Sequence, residues 1–190
     1  MKKKIPIVMF LIFTVIFQGC MEETKENGEK LVIGSLNTLG FKLGELPDTF
    51  LTIYEVFNDT IETINLSSGG TVTGLERYNA AYGPNETIPS LVILMTKYDP
   101  TESAVAVFSE YNEWFFNNGS SGEMYERVPA EQMGDESAVG VLTSGEYSGA
   151  HQIIFRRLNI VTRFYTTNIT QNESIDYAKI LINHIEPSLS

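Results

Sequence analysis

The chain has 190 residues, enough for one ordinary domain, and its 13 Lys and Arg stand against 24 Asp and Glu, a formal charge of −11. This acidic balance argues against nucleic acid or an anionic bilayer surface as a partner, because both select clusters of Lys and Arg. The single cysteine, Cys20, excludes a disulfide within the chain. Composition therefore indicates an acidic globular protein whose partners are not polyanions.

The N-terminal segment has the pattern of an export signal. Three lysines at positions 2–4 precede an apolar run over residues 5–17, and Gly19 and Cys20 follow. The run is shorter than the roughly 20 apolar residues of a membrane-spanning helix, which favours a cleaved signal. A small residue before cysteine resembles a lipobox, in which the thiol takes a diacylglyceryl group and becomes the mature N-terminus. We predict a signal peptide over residues 1–19 and lipidation of Cys20; the alternative is an ordinary secretory signal with an incidental cysteine.

Behind this cysteine the sequence predicts a tether and then one domain. Residues 20–30 are mainly polar and charged and cannot bury enough apolar surface to order themselves. We interpret them as a flexible spacer that holds a domain over residues 31–190 off the bilayer. The predicted location is the cell membrane, with the protein facing outward and bound to the membrane through the lipid on Cys20.

The chain is rich in the Asn-x-Ser/Thr acceptor pattern for N-linked glycans. Such glycans lie on the surface of exported proteins, which agrees with the predicted export. The alternative is a loop composition rich in Asn and Thr that carries no glycan. The six candidate acceptors are Asn58, Asn65, Asn85, Asn118, Asn168 and Asn172.

Hydrophobic periodicity predicts strands and two helices. The first helix follows Asp99 and buries Ala104, Phe108, Tyr111 and Phe115, which recur at helical spacing. The second follows a capping-box pattern and buries Ile175, Ala178, Ile182 and Ile185. Strands are predicted over 51–57, 75–82, 91–98, 137–143, 150–157 and 160–167. The pattern predicts an α+β fold, with an antiparallel sheet packed against two main helices in a single sandwich-like domain.

A resemblance rests on short motifs in a fixed order: Leu46-Pro47-Asp48, the segment 133–137, the hairpin segment 155–161, and a closing helix. This order, over roughly residues 46–186, is similar to that of PsbP-type α+β domains. Together with the lipobox and the sequons it resembles an archaeal cell-surface lipoprotein. The resemblance implies the same α+β fold and defines no catalytic residue.

The sequence contains no motif of a metalloprotease, a serine hydrolase, a phosphate loop or a dinucleotide fold. Neither His151 nor His184 sits in a ligand or acid–base motif, so both are expected to be structural. Asp135 and Glu136 could touch a hard cation, but we interpret them as a turn that leads into a strand. No metal, cofactor or catalytic residue is therefore predicted.

The strongest candidate for ligand binding lies in the last hairpin. If Leu158 and Asn159 form a two-residue turn, Arg156 and Arg163 become diagonal neighbours on one face of the sheet. With Tyr165 they could bind a carboxylate or phosphate. The alternative is that the two arginines pair with carboxylates of the protein itself.

Three functions fit these observations. The first is a non-enzymatic binding or accessory module of the cell envelope, with an unknown ligand and an envelope protein as its candidate partner. The second is a structural or interaction protein of a glycosylated surface layer. The third is a hydrolase whose site is assembled from scattered residues. The missing catalytic motifs favour the first over the third.

Overall fold

The computed structural model describes residues 35–58, 61–116 and 125–185. Cys20, Asn118 and the predicted signal and tether lie outside these residues. None of the helices in the described part is both long and apolar enough to cross a membrane. The elements, after a 3-10 turn at Leu36–Thr38, are β1 (Leu51–Phe57), β2 (Thr63–Asn65), β3 (Thr71–Thr73), β4 (Glu76–Gly83), β5 (Leu91–Lys97), α1 (Thr101–Phe116), β6 (Tyr125–Arg127), β7 (Glu136–Leu142), β8 (His151–Arg157), β9 (Ile160–Thr166) and α2 (Gln171–Ile185).

Seven strands form one antiparallel sheet in the order β1-β4-β5-β9-β8-β7-β6, and β2 and β3 form a separate two-stranded sheet. The predicted α+β fold, an antiparallel sheet with two main helices, is confirmed. The predicted strands recur with shifts of no more than one residue at either end. Strands β2, β3 and β6 were not predicted, because three residues are too few to show a period of two.

The two helices cover opposite faces of the large sheet. On neighbouring positions of β8, Ile153 packs in one cluster with α2 and Ile154 in another with α1. Successive side chains of a strand point to opposite faces, so the sheet lies between the two helices. We call these sides the α2 face, which also receives the segment after the 3-10 turn, and the α1 face, which also receives the β2–β3 hairpin.

The start of α2 follows the predicted capping box. Thr170 Oγ1 accepts a hydrogen bond from the Glu173 backbone N–H at 3.3 Å, and Glu173 Oε2 accepts one from the Thr170 backbone N–H at 3.0 Å. These reciprocal bonds satisfy two of the donors that a helix N-terminus leaves unpaired. The helix then buries Ala178, Ile182 and Ile185 as predicted, together with Leu181, whereas Ile175, also predicted to be buried, is only partly buried.

Candidate functional site

A recess on the α2 face is the best-formed concave site with aromatic walls. It has a volume of about 300 Å³ and lies between the loop that follows the 3-10 turn and the β1–β4 edge of the sheet. Most of its lining side chains are apolar or aromatic, and polar atoms make up about half of the surface that faces the recess. The residues that define this aromatic recess are Phe41, Leu46, Pro47, Phe50, Thr52 and Tyr82.

Ring contacts hold the aromatic walls in place. Phe41 meets Tyr82 edge to face, with ring centroids 5.8 Å apart, and meets Tyr177 of α2 in the same way at 6.1 Å. Such contacts add to the stabilisation from buried area and prefer this perpendicular geometry. Phe41 therefore joins the loop to both the sheet and the helix.

Behind the recess, phenols and a carboxylate form a hydrogen-bonded chain. The Tyr78 hydroxyl donates to Glu55 Oε1 at 2.8 Å, and the hydroxyls of Tyr78 and Tyr82 lie 3.0 Å apart. Burial raises the pKa of both phenols, so they stay protonated at neutral pH. Since the one proton of Tyr78 goes to Glu55, the bond between the two phenols is donated by Tyr82.

The loop beside the recess is tied to the C-terminal end of α2. Glu45 accepts a hydrogen bond from the Lys42 backbone N–H at 2.6 Å, and His184 Nε2 lies 2.8 Å from Glu45 Oε1. Partial burial raises the Glu45 pKa, but these two partners outweigh it and the pKa is lowered. The other ring nitrogen of His184 lies 3.2 Å from the Leu39 carbonyl oxygen. The structural role expected of His184 agrees with these contacts.

A second cleft, of about 530 Å³, lies between the β7–β8 loop and the β9–α2 loop. Its lining is mostly loop residues, including the exposed Tyr147 and Asn168. Loop residues also line most of the aromatic recess, but there the ring contacts of Phe41 with Tyr82 and Tyr177 fix the wall. The aromatic recess is therefore the better candidate, although the cleft is larger.

His151 begins β8 beside this cleft, and its ring is partly buried. Burial lowers its pKa, against an opposing contribution from a hydrogen bond with the Ile169 backbone. Because the folded protein then binds fewer protons than the unfolded chain, its stability should fall as the pH drops below the ordinary value of 6.5. His151→Gln should reduce that loss, as measured by urea unfolding above and below pH 6.5. Identical pH slopes for the two proteins would show that His151 contributes nothing.

The hairpin that was predicted to carry a ligand site has the predicted register. Arg157 pairs with Ile160 and Arg156 with Val161 across a two-residue turn. Leu158 has a φ of 56°, and a positive φ at the first loop residue is what a type II′ hairpin turn needs.

The two arginines of this hairpin have different partners. Arg156 contacts Glu136 at 2.6 Å and Asp135 at 3.2 Å, whereas Arg163 contacts Glu62 at 2.9 Å. The alternative reading, pairing with carboxylates of the protein, therefore describes both side chains in this structure. A joint site of Arg156, Arg163 and Tyr165 for one ligand stays a prediction.

The structure describes five of the six sequon asparagines, and all five are exposed: Asn58, Asn65, Asn85, Asn168 and Asn172. Exposure is a requirement for carrying a glycan on the folded protein. The side-chain oxygen of Asn85 accepts hydrogen bonds from the backbone N–H groups of Thr87 and Ile88, which shapes the β4–β5 loop. Glycosylation itself stays a prediction.

The residues of the aromatic recess were not predicted from the sequence. Phe41 and Phe50 come from one loop and Tyr82 from strand β4, and nothing in their spacing shows that they meet. The only local signal was a pair of aromatic residues in a glycine-containing segment with no helix or strand period. Among the described residues, no group of three or more His, Cys, Asp or Glu is placed to hold a metal ion.

Comparison with known proteins gave no relatives. No protein-family model matches the chain, and no curated protein matches its sequence. The functional argument therefore depends on the chain's own residues and their geometry.

Proposed function

We propose that this protein is a lipid-anchored, outward-facing binding module of the cell envelope, and that the aromatic recess is its ligand site. The observation that carries the proposal is the recess itself, about 300 Å³ in volume, with Phe41 held between Tyr82 and Tyr177. A concave site whose walls are held by such packing contacts loses little entropy when a ligand binds.

The chemistry of the recess indicates a small ligand without net charge that combines an apolar ring with polar groups. Phe41, Phe50 and Tyr82 supply aromatic surface for a ring. At the rim, Lys42 and Asp48 contribute one charge of each sign, so the recess has little preference for an anion or a cation. A molecule with one apolar ring and a few polar groups fits this lining.

The proposed anchor places this site close to a membrane. Ser35, the first described residue, lies 15 residues after Cys20, and a fully extended chain of that length spans about 50 Å. The recess is built mainly from residues 41–52, soon after the tether. A ligand in the recess would thus be held within reach of the bilayer surface.

Native mass spectrometry of the protein extracted from its own membrane tests the proposed site. Thr52 is exposed, lines the recess and lies opposite Tyr82 in the sheet, so Thr52→Trp should fill the recess without removing a core contact. The wild type should carry a small uncharged molecule and Thr52→Trp should not. The matched control is Thr71→Trp, at an exposed strand position outside the recess, which should keep the molecule. Masses that show only the polypeptide and its proposed lipid in all three proteins would contradict the proposed ligand site.

A structural or interaction role in a glycosylated surface layer is the second candidate. It is favoured by the five exposed sequon asparagines and by Trp114, an exposed aromatic residue on α1. Exposed aromatic side chains are common in protein interfaces. Intact-mass measurement before and after chemical removal of glycans decides whether the surface is glycosylated.

A further inference from the structure

A buried ion pair lies on the α1 face, away from the aromatic recess. Arg163 of β9 donates to Glu62 Oε1 at 2.9 Å, and the Thr96 hydroxyl donates to Glu62 Oε2 at 3.2 Å. The side chains of Arg163 and Glu62 are only 16% and 14% exposed. Both oxygens of one carboxylate are thus bound by donors that the large sheet supplies.

Two buried phenols adjoin this ion pair. Tyr98 is fully buried and Tyr111 is 3% exposed, and neither hydroxyl makes a well-formed hydrogen bond with the described residues; their weak contacts are with Thr96 and Glu62, respectively. The guanidinium carbon of Arg163 lies 4.5 Å from the centre of the Tyr111 ring, a cation–π contact. Burial raises the pKa of both phenols, so both are protonated donors. Buried donors without well-placed acceptors are costly, and a native protein keeps them only for a reason.

Glu62 belongs to a hairpin that is weakly attached to the domain. We call residues 61–74, which contain β2 and β3, the flap. Each of its strands has three residues and turns only one side chain inward, Ile64 or Val72, both partly buried. A two-stranded hairpin has little stability of its own in water. The flap therefore depends on a few contacts with the rest of the domain.

The tip of the flap is also loosely packed. Ser67 donates from its backbone N–H and its hydroxyl to Glu110 Oε2 of α1, each at 2.8 Å. An open depression of about 470 Å³, lined by residues of the tip and of α1, adjoins this contact. Local opening is easiest where few apolar contacts are lost, so the flap can separate from the sheet without unfolding the domain.

We propose that Arg163, Thr96, Tyr98 and Tyr111 form a binding site for the carboxylate of a small molecule, and that Glu62 occupies this site as an internal substitute. When the flap opens, the ligand carboxylate takes the place of Glu62 on Arg163 and Thr96. Further acceptor atoms of the ligand then receive the two phenol protons. The charge-assisted geometry that Glu62 already has is what an external carboxylate would adopt.

Succinate is the probe for this site, and hydrogen exchange of the flap amides is the readout. In the wild type, succinate should speed exchange across residues 61–74, because it displaces Glu62 and frees the flap. Glu62→Gln removes the competing charge and should bind succinate roughly tenfold more tightly, the equivalent of one charge-assisted hydrogen bond. Inorganic phosphate, which lacks the planar two-oxygen shape, should bind more weakly than succinate.

Tyr111→Phe separates binding from folding. Losing a buried hydroxyl without a well-formed hydrogen bond should raise the Tm by roughly 2–4 °C and weaken succinate binding. If Tyr111 had only a structural role, its substitution would not raise the Tm and at the same time weaken succinate binding. Arg163→Met should abolish binding, and if it fails to fold, Glu62→Gln and Tyr111→Phe decide the question. The proposal is overturned if succinate changes neither flap exchange nor melting in the wild type and in Glu62→Gln.

Discussion

Asp135→Ala should lower the free energy of unfolding by about 2–3 kcal/mol, because it removes three hydrogen bonds from a largely buried cluster. Asp135 Oδ1 accepts from Arg157 at 2.7 Å, and Oδ2 accepts from Arg156 at 3.2 Å and from the Leu158 backbone N–H at 2.7 Å. The Arg156 side chain is 12% exposed, so water can replace little of what the substitution removes.

The same carboxylate stabilises an unfavourable turn. Leu158 has a φ of 56°, a left-handed conformation that costs a non-glycine residue about 1–2 kcal/mol. Asp135 holds the backbone N–H of this residue, and Arg156 Nη1 donates to its carbonyl oxygen at 2.9 Å. Without Asp135 the β8–β9 turn loses one of these two restraints.

Urea unfolding of matched variants checks this result. Glu136→Ala removes one contact with Arg156 from a more exposed side chain and should cost less than Asp135→Ala. Glu131→Ala breaks an exposed ion pair with Lys179, in which the nitrogen and oxygen are 2.9 Å apart, and should have no measurable effect on stability. If all three variants lose the same free energy of unfolding, neither burial nor the turn increases the contribution of Asp135.

Cys20→Ser should move the protein from the membrane fraction to the soluble fraction. A diacylglyceryl group inserts two acyl chains, which hold a protein on a bilayer stably, whereas the serine hydroxyl does not take this thiol-linked lipid. Cys20 is the only cysteine of the chain, so no second thiol can replace it. The intact mass of the wild type should exceed that of residues 20–190 by the mass of a lipid. The intact mass of Cys20→Ser should contain no lipid.

Met21→Ser is the matched control for this experiment, because it makes a similar change one residue away and leaves the thiol in place. Its distribution between fractions should equal that of the wild type. A Cys20→Ser protein that stays with the membrane would reject the lipid anchor and leave the recess without its proposed location.

Local sequence patterns were sufficient for the elements whose signals lie within a few residues. The capping box at Thr170 and Glu173 predicted the start of α2, and helical spacing predicted the buried face of α1. A two-residue turn predicted the pairing of Arg156 with Val161. In each case the cause is a short-range geometry, a helix turn or a strand period, that the sequence shows directly.

The sites depend on partners that are distant in sequence. Arg163 and Glu62 are separated by 101 positions, and none of the 24 acidic residues is marked in the sequence as its partner. The sequence suggested that Arg156 and Arg163 could share a ligand, but the fold pairs them with carboxylates from different elements. The side-chain types determined that arginine–carboxylate ion pairs form. Only the packing of the flap and the sheet determined which carboxylate each arginine contacts.

The sequence by itself determined the α+β architecture, the two helices and the register of the last hairpin, because period, caps and turn length are local. The tertiary structure alone decided that the helices lie on opposite faces and that Phe41, Phe50 and Tyr82 enclose a recess. It also decided that Glu62 lies on Arg163. The physical reason is that burial and long-range pairing depend on how distant elements pack together. The residues next to a position in the sequence do not determine that packing.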